Sequence, residues 1–160
     1  MNLIEIQTIF TSNGLPDQEH IQRWVDAALD GFNQDTEIVV RIVDEQESAE
    51  LNQQYRLKPG PTNILSFPVE VPEGIELNLL GDLVVCAPVL EKEALEQHKA
   101  LTDHWAHIIV HGVLHLLGYD HIDETQAELM ESKEITILNK LNIKIPIDRS
   151  MTNERRATSR

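Results

Sequence analysis

Residues 111–121 read HGVLHLLGYDH, and this stretch predicts both local structure and chemistry. His111 and His115 are four residues apart, so on a helix their side chains lie on one face, one turn apart. Gly118 readily adopts the left-handed conformation that ends helices and reverses the chain. The turn after it can bring His121 back toward the other two histidines. The stretch therefore predicts a helix, a stop and three converging imidazoles.

These three histidines form a candidate metal site. Three imidazoles with a fourth position left to water are the ligand set of a catalytic zinc ion, whereas structural zinc sites are usually closed by four protein ligands. We therefore predict one zinc ion per chain, bound by His111, His115 and His121. A single histidine on an apolar helix face is more often a core residue, but three with a glycine placed to turn the chain favour metal binding. Nickel, copper and iron also accept imidazole, so the native metal stays open.

The ligand spacing equals that of the metzincin peptidases, in which a glutamate follows the first histidine and acts as general base. In this chain that position is Gly112. The chain therefore has the histidine spacing of these peptidases but lacks the glutamate that acts as their general base. A zinc metallopeptidase-like hydrolase is therefore one alternative function.

Three further polar residues flank the histidine motif. His104 and His107 lie on nearly the same helical face as His111. A polar wall is a more common role for such residues than direct metal contact. Asp120 has the chemistry to orient a ligand imidazole, and capping the turn is an equally ordinary role for it.

The composition is typical of one globular domain. The chain has 160 residues, of which 41% are hydrophobic and 25% are charged. We place the domain at residues 1–147 and expect the polar residues 148–160 to be disordered. No stretch is typical of a membrane span or an export signal, and the single Cys86, in an apolar strand-like run, excludes an intramolecular disulfide. We expect a cytoplasmic protein.

The net charge of −14 argues against a general nucleic-acid binder, which is usually basic. It does not exclude an enzyme that binds phosphates in one local basic groove, because the local field controls the encounter.

The chain pattern places strands mainly first and helices mainly later. It predicts strands at residues 3–10, 37–44, 64–71 and 80–87. It predicts one helix capped by Asp17, a second capped by Asp44 or Ser48, a third at 88–98, a fourth capped by Thr102, and a fifth at 123–141. Pro68 fits a strand only at an edge or bulge. The apolar side of the last helix is predicted to carry Leu129, Met130, Ile135 and Leu138. The predicted fold is α+β, with a small mixed four-stranded sheet and about five helices.

Residues 55–68 read YRLKPGPTNILSFP and form a second candidate site. Arg56 presents a planar fork that matches phosphate oxygens. Beside a metal-activated water, such an arginine would stabilise the charge that develops during phosphodiester cleavage. Taken alone, the segment is explained equally well by surface cations at Arg56 and Lys58 and by turn capping at Thr62 and Asn63.

Taken together, residues 55–68, the LGDL run at 80–83 and residues 111–121 closely resemble the YbeY family of bacterial endoribonucleases. The resemblance covers roughly residues 35–140. It implies an α+β fold with the histidine motif on a helix facing a cleft. It also implies a zinc-dependent, single-strand-specific endoribonuclease of the cytoplasm. It also implies roles in maturation of the 3′ end of 16S ribosomal RNA and in ribosome quality control, with ribosomes or small-subunit precursors as partners.

The resemblance also assigns residues. His111, His115 and His121 match the family's metal ligands, with His115 serving catalysis, and Arg56 matches the arginine of its active cleft. The family commonly has an acidic residue where this chain has Pro59. That difference leaves open the shape of the loop and the roles of the other residues in it.

Several alternatives remain open at the level of sequence. The activated water either attacks the phosphorus or removes the proton of the ribose 2′-hydroxyl. A non-catalytic ribosome-assembly factor with a structural metal is the other rival function, although three protein ligands rather than four weigh against it. An acidic protein that acts on ribosomal RNA is expected to rely on a protein partner for targeting.

Overall fold

The computed structural model describes residues 1–144, apart from residue 33, residues 71–73 and 75–77, and residue 121. Within that part of the chain the elements are β1 (Asn2–Thr8), α1 (Gln18–Ala28), β2 (Thr36–Val43), α2 (Glu45–Arg56), β3 (Ile64–Pro68), β4 (Leu79–Cys86), α3 (Ala87–Glu96), α4 (Leu101–Leu116) and α5 (Glu124–Lys140). The predicted α+β class is confirmed. The predicted polar tail lies outside the described residues. No described helix is long and apolar enough to span a membrane.

The four described strands form one mixed sheet in the order β1-β2-β4-β3. β1, β2 and β4 run parallel, and β3 is antiparallel to β4. The predicted mixed sheet is therefore confirmed. β3 lies at an edge of this sheet and ends at Pro68, an edge position where a residue without an N–H is tolerated, as predicted.

The core lies mainly on one face of the sheet. Alternate residues of the central strands point to this face because strand side chains have a period of two. They pack beneath α1 and α4, with α5 beyond α4, and include Ile38, Val40, Ile42, Leu83 and Val85. A smaller apolar cluster on the opposite face joins Leu65 and Val84 to Leu51 of α2 and Val89 of α3.

Helix α4 is the central element of the fold. From His104 to the end of the helix, every residue is buried except His115, which is half-buried. A helix that is enclosed on nearly all sides is held by packing rather than by an amphipathic pattern. From His104 onward, His115 is therefore the residue of α4 that reaches solvent.

The structure confirms one predicted helix cap and corrects another. Asp17 caps α1 by accepting a 2.9 Å hydrogen bond from the backbone N–H of His20. Asp44, rather than Ser48, caps α2 in the same way. Helix α4 begins at Leu101 without a side-chain cap, so capping by Thr102 is wrong.

The prediction for the apolar face of α5 is partly wrong. Leu129 and Ile135 are 56% and 44% exposed. The buried face consists of Ala127, Met130, Glu134, Ile137 and Leu138. These positions recur at helical spacing, but one of them is the charged Glu134. A prediction that searches only for apolar residues therefore does not find this buried face.

Cys86 is buried at the end of β4, as predicted. Burial raises the pKa of its thiol to about 11. The thiol therefore keeps its proton at neutral pH and is not a nucleophile.

Gly81, in the LGDL run, lies where the backbone of β4 passes close to that of β3. Its φ is +151°, and a Cβ there would overlap the Phe67 carbonyl oxygen and lie 2.8 Å from Leu116 Cδ2. We expect Gly81→Ala to lower the free energy of unfolding by about 2–4 kcal/mol, because backbone must move to accept the methyl group. Urea unfolding followed by circular dichroism measures this loss.

Gly31 provides a matched control for Gly81. It also has a positive φ (+87°), but a Cβ there would meet no atom within 4 Å. Gly31→Ala should therefore report the backbone strain alone, about 1 kcal/mol. Equal losses for the two variants would contradict the close approach of β3 and β4.

Candidate active site

Helix α4 carries two of the three predicted metal ligands. The rings of His111 and His115 lie 4.7 Å apart between centroids, with their planes 79° from each other. They therefore lie on the same side of α4. His111 is fully buried and His115 is half-buried. Two neighbouring imidazoles, one enclosed and one open to solvent, are a donor set that fits zinc.

The end of α4 turns as its sequence predicts. Gly118 has a φ of +101°. Its N–H donates to the His115 carbonyl, and the N–H of Tyr119 donates to the Leu114 carbonyl, both at 3.0 Å. The third predicted ligand, His121, lies outside the described residues. Among the described residues no cluster of three or more His, Cys, Asp or Glu is arranged to hold a metal, so the three-ligand site stays a prediction.

A buried carboxylate lies behind His111. Glu134 of α5 is 1% exposed, and its Oε2 lies 3.1 Å from His111 Nδ1. Its Oε1 lies 2.8 Å from His107 Nε2. Sequence reasoning missed Glu134, although a charged residue at helical spacing within a buried stripe was a signal that could have found it.

His104 and His107 are buried where α4 packs against its neighbouring helices. His104 Nε2 lies 2.9 Å from Glu93 Oε1 on α3, just as His107 contacts Glu134 on α5. Both histidines are at most 1% exposed. They link α4 to its two neighbouring helices through histidine–carboxylate pairs.

The loop after α2 is built by structural hydrogen bonds. Ser48 Oγ accepts from the backbone N–H of Thr62 and donates to the Thr62 carbonyl, both at 3.0 Å. The Asn63 side chain accepts a 2.7 Å bond from the N–H of Ile64. Thr62 and Asn63 are both buried. These contacts favour the turn-forming interpretation of the two residues over a role in binding substrate.

Arg56 is the last residue of α2, and Leu57 after it adopts a left-handed conformation. The neighbouring Tyr55 packs edge-on against Phe67 of β3, with ring centroids 5.1 Å apart. This contact places the Arg56 segment beside the carboxyl end of β3.

Strand β3 connects the two candidate segments. Ser66 Oγ donates a 3.4 Å bond to the Gly112 carbonyl of α4, while the adjacent Phe67 contacts Tyr55 of α2. Successive strand residues point to opposite faces. The histidine helix and the Arg56 helix therefore lie on opposite sides of one edge strand.

Gly112 faces the sheet. A Cβ at this position would lie 2.6 Å from Ile64 Cδ1 and 2.9 Å from Leu83 Cδ2. In the metzincin pattern this position carries the general base. Here it packs on the hydrophobic core, which argues against the peptidase alternative.

Residues 7–142 match the family model described as endoribonuclease YbeY. The chain belongs to the endoribonuclease YbeY family. Two relatives named endoribonuclease YbeY support this assignment. The protein from Colwellia psychrerythraea is 55% identical over 149 residues, covering 91% of this chain and 96% of the relative. The protein from Methylococcus capsulatus is 54% identical over 136 residues, covering 85% and 89%.

A solved structure supports the YbeY-family fold. The solution structure of a protein from Thermotoga maritima superposes with a TM-score of 0.57 at 26% identity, covering 88% of this chain and 92% of that one. The resemblance inferred from residues 55–68, 80–83 and 111–121 is thus confirmed at the level of the YbeY family. The roles of the individual site residues stay predictions.

Proposed function

We propose that this protein is a zinc-dependent endoribonuclease specific for single-stranded RNA. We further propose that it acts in the cytoplasm on the 3′ end of 16S ribosomal RNA and in ribosome quality control. Membership in the endoribonuclease YbeY family supports RNA cleavage. The observation that carries the chemistry is the pair His111 and His115, which share one face of α4 where the helix opens to solvent.

Each site residue has a distinct role in this proposal. His111, His115 and His121 hold the zinc ion, which when bound lowers the pKa of a water molecule toward neutrality. In this proposal RNA reaches the site on the side of His115, which is half-buried, and not on the side of the fully buried His111. Arg56 directs its guanidinium fork at phosphate oxygens and stabilises the negative charge that develops on them.

The charge of the chain bears on its partners. A net charge of −14 repels RNA over most of the surface. Binding to single-stranded ribosomal RNA must therefore rely on local cations such as Arg56. We propose that the ribosome or a small-subunit precursor, with a protein partner, supplies the remaining affinity.

Removal of the metal tests this proposal. We expect protein purified without chelator to contain about one zinc ion per chain and to cleave a single-stranded fragment from the 3′ end of the 16S precursor. Chelation should abolish cleavage, and added zinc should restore it, because the activated water depends on the ion. Zinc content is measured by elemental analysis and cleavage by gel electrophoresis of labelled RNA.

The same RNA annealed to its complement is the matched control, and it should remain intact. Cleavage that persists in the chelated protein would contradict metal dependence. Equal cleavage of the duplex would contradict single-strand specificity. A protein that holds zinc but cleaves neither RNA would favour the assembly-factor alternative.

A further inference from the structure

Glu134 is an unusual residue for the centre of a helix interface. It is 1% exposed, between two histidines of α4 that are themselves fully buried. Removing a carboxylate from water costs several kcal/mol unless hydrogen bonds replace the lost solvation. Both carboxylate oxygens contact imidazole nitrogens, at 3.1 Å for His111 Nδ1 and 2.8 Å for His107 Nε2.

These contacts favour one tautomer of His111. An ionised carboxylate accepts hydrogen bonds and does not donate them. A neutral His111 imidazole bonded to an ionised Glu134 therefore donates from Nδ1 and keeps its lone pair on Nε2. A metal ligand needs this state, with one nitrogen protonated and hydrogen-bonded and the other carrying a lone pair.

We propose that Glu134 is a positioning residue for the metal ligand His111. Its carboxylate holds the imidazole in the Nδ1-protonated form and fixes the orientation of the ring, so that Nε2 serves the ion. His107 holds the second oxygen and prevents the carboxylate from rotating away. This inference rests on the proposed metal-dependent function. Asp120, which the sequence offers for such a role, stays a separate prediction beside His121.

The chain contains a matched control for this arrangement. Glu93 of α3 and His104 of α4, the helix that also carries His111, form a carboxylate–imidazole pair at 2.9 Å, but His104 is not a predicted ligand. Replacing Glu93 therefore tests the loss of such a pair without a change at the site. Comparing Glu93→Gln with Glu134→Gln separates an effect on metal binding from a general effect on helix packing.

The first measurement is zinc affinity, determined by competition with a chromophoric chelator on the full-length protein. Glutamine has one carbonyl acceptor where the carboxylate has two, so Glu134→Gln cannot accept from both imidazoles. Glu134→Met keeps an unbranched chain of similar size and removes both acceptors. We expect the zinc Kd to rise about 10- to 100-fold in Glu134→Met, with a smaller rise in Glu134→Gln. Glu93→Gln should leave it unchanged. A wild-type Kd in folded Glu134→Met would overturn the proposal.

The second measurement is the tautomer of His111 in metal-free wild-type protein, read from the ¹⁵N chemical shifts of its ring. We expect a proton on Nδ1 and none on Nε2. A proton on Nε2 would overturn the proposal, and this result does not depend on whether the Glu134 variants fold. If the wild type binds no zinc while His111 shows the expected tautomer, the proposed metal function fails and the positioning of His111 by Glu134 does not.

Discussion

Glutamate at position 112 is expected to destabilise the protein severely and not to create a peptidase. The new Cβ would lie 2.6 Å from Ile64 Cδ1 and 2.9 Å from Leu83 Cδ2, side chains that are 1% and 0% exposed. The carboxylate would then be buried against the apolar face of the sheet. Overpacking and an unpaired buried charge should together lower the free energy of unfolding by more than about 4 kcal/mol. That loss is comparable to the whole stability of many domains.

Urea unfolding of Gly112→Glu, followed by circular dichroism, measures this effect. Gly112→Ala is the matched control because it adds only the Cβ. Alanine favours a helix by about 1 kcal/mol over glycine, which partly offsets an overpacking cost of about 1–3 kcal/mol. The net loss should therefore be about 1 kcal/mol. A Gly112→Glu protein as stable as the wild type would show that the position does not face the sheet, and casein cleavage by the wild type would revive the peptidase alternative.

Features set by neighbouring residues could be predicted from the sequence. The cap at Asp17 depends on a backbone N–H only three residues away. The positive φ of Gly118 follows from the need to end α4 and reverse the chain. The placement of His111 and His115 on one helical face follows from their spacing alone. Each of these geometries is contained within about one helical turn.

Features set by packing between distant elements could not be predicted. The partner of His111 is Glu134, 23 residues away on another helix. The Ser48 hydroxyl holds Thr62 across the loop after α2, a contact between residues 14 apart. Hydrophobic periodicity assigns Leu129 to the buried face of α5, yet it is 56% exposed because the face toward α4 includes a charged residue instead.

The histidine motif and Arg56 also differ in how far the sequence alone predicts their place in the candidate site. The spacing of the histidines indicates a metal site without any tertiary information. The relation of Arg56 to those histidines depends on how α2 and α4 straddle β3, which no local pattern contains. The prediction that Arg56 and the histidines belong to one site came from the resemblance to the YbeY family.

Replacing His115 by alanine is expected to reduce RNA cleavage by more than about a hundredfold, because the ion loses one of its three protein ligands. His115 is the half-buried residue of an otherwise enclosed helix segment, so its truncation leaves little unfilled space. The free energy of unfolding of the metal-free protein should change by less than about 1 kcal/mol. Zinc content, RNA cleavage and urea unfolding of the same preparation measure the three effects.

Arg56→Lys separates charge stabilisation from metal binding. Lysine keeps the positive charge but loses the planar fork that contacts two phosphate oxygens. We expect zinc content to stay at the wild-type level while cleavage falls about 10²- to 10³-fold. Arg23→Lys, on the exposed surface of α1, makes the same chemical change away from the site and should cleave normally.

The pattern across these variants distinguishes an enzyme from an assembly factor. A catalytic ion predicts that His115→Ala folds but neither holds zinc at the wild-type level nor cleaves RNA. A structural ion predicts instead that His115→Ala loses stability in the zinc-loaded protein, with no cleavage to lose in the wild type. Equal residual cleavage by the wild type, His115→Ala and Arg56→Lys would assign the activity to a contaminating nuclease. In that case the α4 histidines would hold a structural ion or act on another substrate.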